Sequence, residues 1–312
     1  MKALVTGGAG FIGHHLVRAL VERGDDVTVL DDLSSGQVAR LEPVRARIDL
    51  VEGSILDAAA LERAVAGMEV VFHEAALASV AVSVADPGRT NEVNVGGTIE
   101  VMLAAARHGV RRVVFAGSSA VYGDPRRLPL DEEERPAPTS PYGVSKLAAE
   151  QYTHALARLH GLDSVVLRYF NVYGPGQNPA SEYAAVIPKF VTAVIGGGRP
   201  TINGTGAISR DFVFVDDVVA ANLLAARPAS PSGLTCNIAT GDRTTLDQLL
   251  EEVCRAAGRS VTPVYGPPRE GDILDSVADI AAAREALGFQ PSVRLHEGIA
   301  RTVAWYRDQP AA

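Results

Sequence analysis

The chain opens with a short apolar stretch, residues 2–6, that runs into Gly7-Gly8-Ala9-Gly10-Phe11-Ile12-Gly13. Apolar residues then recur at helical spacing over 11–23, with Gly24 as the stop. A strand, a glycine turn and a helix in that order constrain the fold more than any other feature of the sequence. The spacing Gly7-x-x-Gly10-x-x-Gly13 supplies a tight turn, a backbone bare enough for a pyrophosphate to approach, and a glycine for close packing of helix on strand. A glycine turn alone joins any strand to any helix, so the reading needs a second part. Residues 26–30 form the next strand and end in Asp31-Asp32, about 20 residues past the turn, where a carboxylate accepts from ribose hydroxyls and repels a 2′-phosphate. That favours NAD over NADP.

Residues 48–52, 70–73, 112–116 and 163–168 read as further strands alternating with alanine-rich helical patterns. Repeated βα units of this kind imply a parallel sheet. The hydroxyls of Ser118 and Ser119 follow the fifth strand, at the end of a parallel sheet where ligands bind. In Tyr142-Gly143-Val144-Ser145-Lys146 the tyrosine and lysine lie one helical turn apart on one face. A nearby ammonium favours a phenolate, so the pair suits proton transfer near neutral pH. Chance pairs of this spacing are common on solvated helix faces, but lysine is scarce here: Lys2, Lys146 and Lys189 are the only ones.

With 312 residues, 47% of them hydrophobic, the chain suits one large or two smaller domains. A net charge of −8 without any basic run makes nucleic acid an unexpected partner. Cys236 and Cys254, the only cysteines, have the spacing of neither a disulfide scaffold nor a zinc site, and no metal is expected. The absence of a leader pattern and of a long apolar run leaves a soluble cytoplasmic protein, with no membrane partner, as the expectation.

The glycine spacing taken with Tyr142-x-x-x-Lys146 resembles the extended short-chain dehydrogenase/reductase family, and within it the NAD-dependent UDP-sugar 4-epimerases, over nearly the whole chain. The resemblance implies a Rossmann-like doubly wound parallel sheet with a smaller C-terminal α/β substrate domain. Residues 1–170, rejoined by 212–240, would bind NAD; residues 171–211 and 241–312 would bind the UDP-sugar. It places Ser118, Tyr142 and Lys146 in catalysis. Gly7, Gly10, Phe11, Ile12, Gly13, Asp31, Asp32, Ser54, Ile55, Ala75, Ala76, Asn94 and Tyr169 would join Tyr142 and Lys146 around NAD. Ser54 stands where relatives usually carry an aspartate near the adenine.

On the substrate side the resemblance implies Ser79, Ser118, Ser119, Asn171, Val186, Thr201, Asn203, Arg210, Arg269, Asp272 and Ser276, with Arg210 and Arg269 clamping the diphosphate. Arginine suits that role because its planar fork donates two hydrogen bonds at once. Ser118-Ser119-Ala120 lacks the acidic residues of dehydratase and decarboxylase relatives, which leaves reversible oxidation. Ser276 falls where the family has a gatekeeper, and its small size suggests room for an N-acetyl group or a C6 carboxylate. Hexose, N-acetylhexosamine and hexuronate substrates all stay open, as does a net nucleotide-sugar reductase; a non-catalytic NAD-sensing module fits less well because Tyr142 and Lys146 are both present. A homodimer is expected, through the helices at 90–107 and 142–160.

Overall fold

A computed structural model describes residues 1–124, 127–178, 186–267 and 275–309. Its frame is a seven-stranded sheet whose strands all pair in parallel. The first six strands are β1 (Lys2–Thr6), β2 (Asp26–Asp31), β3 (Ile48–Glu52), β4 (Val70–His73), β5 (Arg112–Ser118) and β6 (Asp163–Tyr169). They lie in the order β3-β2-β1-β4-β5-β6, and Leu234–Ile238 adds the seventh strand beside β6. The strands are valine- and leucine-rich because both faces are covered. Helix α1 (Phe11–Glu22) and the helix Val215–Ala225 pack on one face through Leu16, Val17, Val218 and Ala221. The helices Ala58–Val65 and Gly97–Arg107 bury Leu61, Val65, Val101 and Met102 on the other. The direction of the order reverses between β1 and β4, and a crevice for a ligand opens beyond the carboxyl ends of the strands at such a point.

A separate apolar cluster joins the helices Val186–Ile195, Leu246–Ala257 and Leu295–Arg307 around Phe190, Phe212, Phe214 and Tyr173. The short helix Ala281–Leu287 lies in the 241–312 stretch expected with this part, yet Ala283 and Leu287 pack into the core of the large sheet. The stretch 90–107, expected as one helix, is three: Pro87–Asn91, a π-helical turn Glu92–Gly96, and Gly97–Arg107. Its apolar period runs through the π turn, so the extra residue leaves no mark on the pattern; such turns recur at functional sites.

Asp216 and Asp217 stand in the first turn of their helix, whose N-cap is Phe214; Asp217 accepts from the Ser292 N–H and hydroxyl, both at 2.8 Å. In the acidic run at 131–134, Glu132 turns inward and accepts from the Asn237 N–H at 2.5 Å. Among the described residues no helix is long and apolar enough to cross a membrane.

Candidate active site

The glycine loop between β1 and α1 is bare because it has to be. Gly7 sits at φ +69°, and a Cβ there would lie 2.8 Å from the Ala75 backbone. A Cβ on Gly13 would lie 2.1 Å from the Gly7 carbonyl oxygen. Gly10 is the N-cap of α1 and no side chain caps that end, so the N–H groups of the first turn, at Phe11 and Ile12, suit an anion. Asp31 at the end of β2 is buried and pinned to this loop, with Oδ2 accepting from the Ala9 N–H and Oδ1 from the Leu33 N–H, each at 2.9 Å. Burial raises its carboxyl above the ordinary range and the two N–H groups oppose that. Asp32 is exposed and is held by the Ser34 N–H and hydroxyl. A bare cradle with a fixed carboxylate beyond it fits a dinucleotide.

Ser118 ends β5, where its Oγ accepts from the Ala120 N–H at 3.1 Å and lies near enough to the Tyr142 phenol to favour its ionised form. The helix Pro141–His160 carries Tyr142 and is capped by Ser140, whose side chain accepts from the Gly143 N–H. The Tyr142 N–H donates to Ser83 Oγ at 3.0 Å. One turn on, Lys146 is buried, with Nζ donating to the Ala116 carbonyl at 2.8 Å and standing 4.9 Å from the Phe115 ring centroid.

Burial lowers Lys146 to about 8, and the Glu74 carboxylate opposes the fall. Burial raises the Tyr142 phenol, and the Ser118 hydrogen bond partly offsets that. Burial, rather than a neighbouring ammonium, dominates the Tyr142 shift, and the Lys146 ammonium turns down to the Ala116 carbonyl. In the free protein the phenol therefore keeps its proton.

On the far side of β5, a cleft of about 270 Å³ is lined by Asn171, Val186, Thr201, Asn203 and Arg210, together with Gln177, Ile208, Phe212 and Leu246. Asn171 begins strand β7 (Asn171–Tyr173), and its Nδ2 donates to the Asp211 carbonyl at 3.2 Å. Arg210 donates from Nη1 to the Ser209 carbonyl at 2.8 Å. Ser276, 8% exposed, lies beside Arg210 in the strand register. Arg269 and Asp272 lie outside the described residues.

Residues 3–239 match the NAD dependent epimerase/dehydratase family. The chain belongs to that family. A UDP-glucose 4-epimerase of Mycolicibacterium smegmatis is 42% identical over 314 residues, which cover 99% of each chain. A UDP-glucose 4-epimerase structure with UDP-glucose from Thermotoga maritima has a TM-score of 0.93 at 41% identity, covering 98% of this chain and 99% of that one. A UDP-N-acetylglucosamine 4-epimerase from Methanobrevibacter ruminantium, in complex with UDP-N-acetylmuramic acid, has a TM-score of 0.95 at 39% identity, covering 99% of each.

Of the residues singled out from sequence, Asn94, Ser79 and Ser54 make hydrogen bonds within the protein scaffold. The amide of Asn94 is taken up by the protein, with Nδ2 donating to the Leu77 carbonyl at 3.1 Å and to Ser145 Oγ at 2.9 Å, and Oδ1 accepting from the Leu77 N–H. It positions the Tyr142 helix rather than offering a free donor to the cofactor. Ser79 caps the helix Val80–Ala85. Ser54 likewise accepts from the Leu56 N–H at 3.2 Å, and Ile55 is buried against Gly97. Ala75 donates its N–H to Thr6 Oγ1 at 3.3 Å and, with Ala76, leaves the turn after β4 without bulk beside Gly7.

Tyr169, at the end of β6, donates to Glu74 at 2.7 Å and accepts from Asn222 at 2.7 Å. Sequence reasoning passed over Ser83, Glu74 and Asn222. A carboxylate inside the apolar Phe72-His73-Glu74-Ala75-Ala76 run was the one available signal.

Proposed function

We propose that this protein interconverts the C4 epimers of a UDP-sugar through a 4-keto intermediate, with NAD held in the glycine loop. The pairing of Ser118 with Tyr142 beyond the carboxyl end of β5 carries the reading. In the strand order it falls between the bare loop that follows β1 and the end of β6, after which Asn171 begins to line the cleft. When bound, NAD supplies an acceptor for the hydride of the carbinol carbon and returns it. Tyr142 takes the proton of the C4 hydroxyl, directly or through Ser118, and gives it back once the keto sugar has turned to present its other face.

Arg210 and Asn171 hold the diphosphate, the part of the substrate that does not change, while the hexose stays loosely held. Lys146 would hold the nicotinamide ribose when NAD is bound. Burial keeps Tyr142 protonated in the free protein, so the phenol becomes a base only when further positive charge stands beside it. Ser119 and Ala120, where relatives that eliminate water carry acids, supply no carboxylate for that reaction.

The small Ser276 beside Arg210 favours a pocket wide enough for UDP-N-acetylglucosamine or UDP-glucuronate as well as UDP-glucose. Purified protein is incubated separately with each of these three, without added NAD, and the products are resolved. Formation of the C4 epimer supports the reading, and a requirement for stoichiometric NAD(H) with release of a keto sugar overturns it in favour of a reductase.

A homodimer belongs to the same proposal. The helix Pro141–His160 leaves Val144, Tyr152 and Leu159 exposed at 53%, 44% and 77%, next to Val80 and Val84 of the neighbouring helix, an apolar stripe suited to a second copy. A monomer by light scattering at micromolar concentration would reject it.

A further inference from the structure

The carbonyls of Pro175, Gly176 and Gln177 follow one another along the chain, and each is held by a side chain from a different element. His15 Nε2 of α1 donates to the Pro175 carbonyl at 2.9 Å, and Arg40 Nη2 to the Gly176 carbonyl at 2.8 Å. The Tyr306 hydroxyl, on the helix Leu295–Arg307, donates to the Gln177 carbonyl. Gly176 itself sits at φ +84°, where a Cβ would lie 2.8 Å from His14 Cε1. Connecting segments ordinarily run over the surface with their carbonyls in water. This one is clamped, and it borders the cleft: Val172, Tyr173 and Gln177 all line it, and Gln177 Nε2 donates back to the Val172 carbonyl at 3.3 Å.

Arg40 differs from the other two donors in what its second arm does. Nη1 reaches the Ala9 carbonyl at 3.2 Å, inside the glycine loop. The same carbonyl accepts from the Gln37 N–H at 3.0 Å, and the Ala9 N–H is the one held by Asp31 Oδ2. One half-buried guanidinium thus ties the loop that presents the Phe11 and Ile12 N–H groups to the segment at the wall of the cleft. A planar fork suits the task, because its two N–H arms hold two carbonyls at one separation.

We propose that Arg40 is a positioning residue that couples the two halves of the site: bridging Ala9 and Gly176, it keeps the glycine loop and the cleft wall in register, so that a dinucleotide in the first and a nucleoside diphosphate in the second stabilise each other. The inference rests on the proposed function for what fills the cleft. Releasing the Gly176 carbonyl lets Gln177 move on the cleft wall, and releasing the Ala9 carbonyl slackens the turn below the pyrophosphate. Such coupling is reciprocal, so it is measurable from either side.

The test is Arg40→Met, which keeps an unbranched side chain and loses both donors. Protein loaded with NAD is diluted with and without saturating UDP, and the freed NAD is reduced at once by excess formate dehydrogenase with formate and read as NADH fluorescence. In the parent, UDP slows NAD release by about fivefold or more, the lower end of ordinary coupling between sites. In R40M release is faster and UDP no longer changes it. Tyr306→Phe, which frees only the Gln177 carbonyl, weakens UDP binding by calorimetry and leaves NAD release in the absence of UDP as in the parent. Folded R40M in which UDP still slows release by the parent's factor overturns the proposal, as does a parent in which UDP leaves release unchanged.

Should R40M fail to fold, Arg40→Lys keeps the charge but offers one nitrogen on a flexible stem in place of the fork. It holds one carbonyl at a time, and the effect of UDP on NAD release falls at least by about half; the full effect in R40K is equally fatal. Neither readout needs turnover. A parent that couples UDP to NAD yet makes no C4 epimer would therefore lose the proposed function and keep this bridge, whereas an epimerase whose R40M variant couples as the parent does would keep the function and lose the bridge.

Discussion

Asn94 Nδ2 donates to Ser145 Oγ at 2.9 Å, and the Ser145 hydroxyl donates in turn to the Tyr142 carbonyl at 2.8 Å. A residue in the π-helical turn at Glu92–Gly96 thus fixes the first turn of the helix that carries Tyr142 and Lys146. Replacing Asn94 with Ala leaves the partly buried Leu77 N–H and carbonyl without these partners and takes a donor away from Ser145, whose own bond to Tyr142 remains. A buried polar group left without a partner costs about 1–3 kcal/mol. N94A is expected to lose stability of that order in urea unfolding and to lower kcat more than it raises KM, since the helix shifts while the Arg210 cleft is untouched. Equal stability to the parent would show that the amide is dispensable.

Tyr142→Phe keeps the ring in its partly buried place and removes the hydroxyl proposed to take the proton. Positioned general acid–base groups contribute on the order of 10²- to 10⁴-fold, so Y142F is expected to lose kcat by at least that range. Ser118→Ala, which removes the hydrogen bond that holds the phenol down, is expected to lose less and to move the rise of kcat with pH to higher pH. Steady-state rates from pH 6 to 9 decide both, and a Y142F protein with full turnover would remove Tyr142 from the chemistry.

His73 sets a pH dependence of stability. It lies between Thr6 Oγ1 at 2.8 Å and Thr98 Oγ1 at 3.0 Å, and burial with Lys146 nearby lowers it from 6.5 to about 3. The unfolded chain takes up this proton with ordinary affinity and the folded chain does not. Stability is therefore full above pH 6.5 and is lost as pH falls from 6.5 toward 3. The slope is about 1.4 kcal/mol per pH unit for one such group. Glu74 works against it: raised from 4.5 to about 7, it favours the folded state at low pH and gives that stability up as pH rises between those values. His73→Gln is expected to flatten the acid-side loss, measured as unfolding free energy at several pH values between 4 and 7. The same slope in H73Q would assign the loss to other groups.

Patterns with a single structural solution were legible in the sequence. The glycine spacing forced the β1–α1 turn, since a Cβ at Gly7 or Gly13 has nowhere to go, and the alternation of valine-rich runs with helical ones forced the parallel sheet. The substrate side was legible only through resemblance, yet Asn171, Val186, Thr201, Asn203 and Arg210 do meet in one cleft. Spacing told which helix face Lys146 occupies but not which neighbours its ammonium meets, because those come from β4 and β5. Glu74 and Glu132 were hidden for the same reason: a carboxylate in a turn or an acidic run reads as solvated until a distant N–H or hydroxyl is placed against it. The π turn at Asn94 was invisible because the buried positions Thr90, Asn94, Thr98, Val101, Met102 and Ala105 keep a spacing of three or four through it.

Ser276 pairs in register with Arg210, is 8% exposed, and follows Asp275, which accepts from the Ser209 hydroxyl and from Arg243. The strand that carries it is therefore pinned along its one paired edge, to Ser209–Arg210, and a larger side chain at Ser276 is expected to grow into the space beside Arg210, the proposed diphosphate clamp. Ser276→Tyr is expected to leave turnover of UDP-glucose within a few-fold of the parent. For UDP-N-acetylglucosamine and UDP-glucuronate, kcat/KM is expected to fall at least tenfold, corresponding to about 1.4 kcal/mol lost in the transition state. Most of the effect should appear in KM, because the ring fills space and leaves Tyr142 and Ser118 alone. Parallel assays of parent and variant on the three nucleotide sugars decide it: an equal fall on all three would mean that the tyrosine disturbs the Arg210 clamp, and no fall on any would remove Ser276 from the sugar pocket.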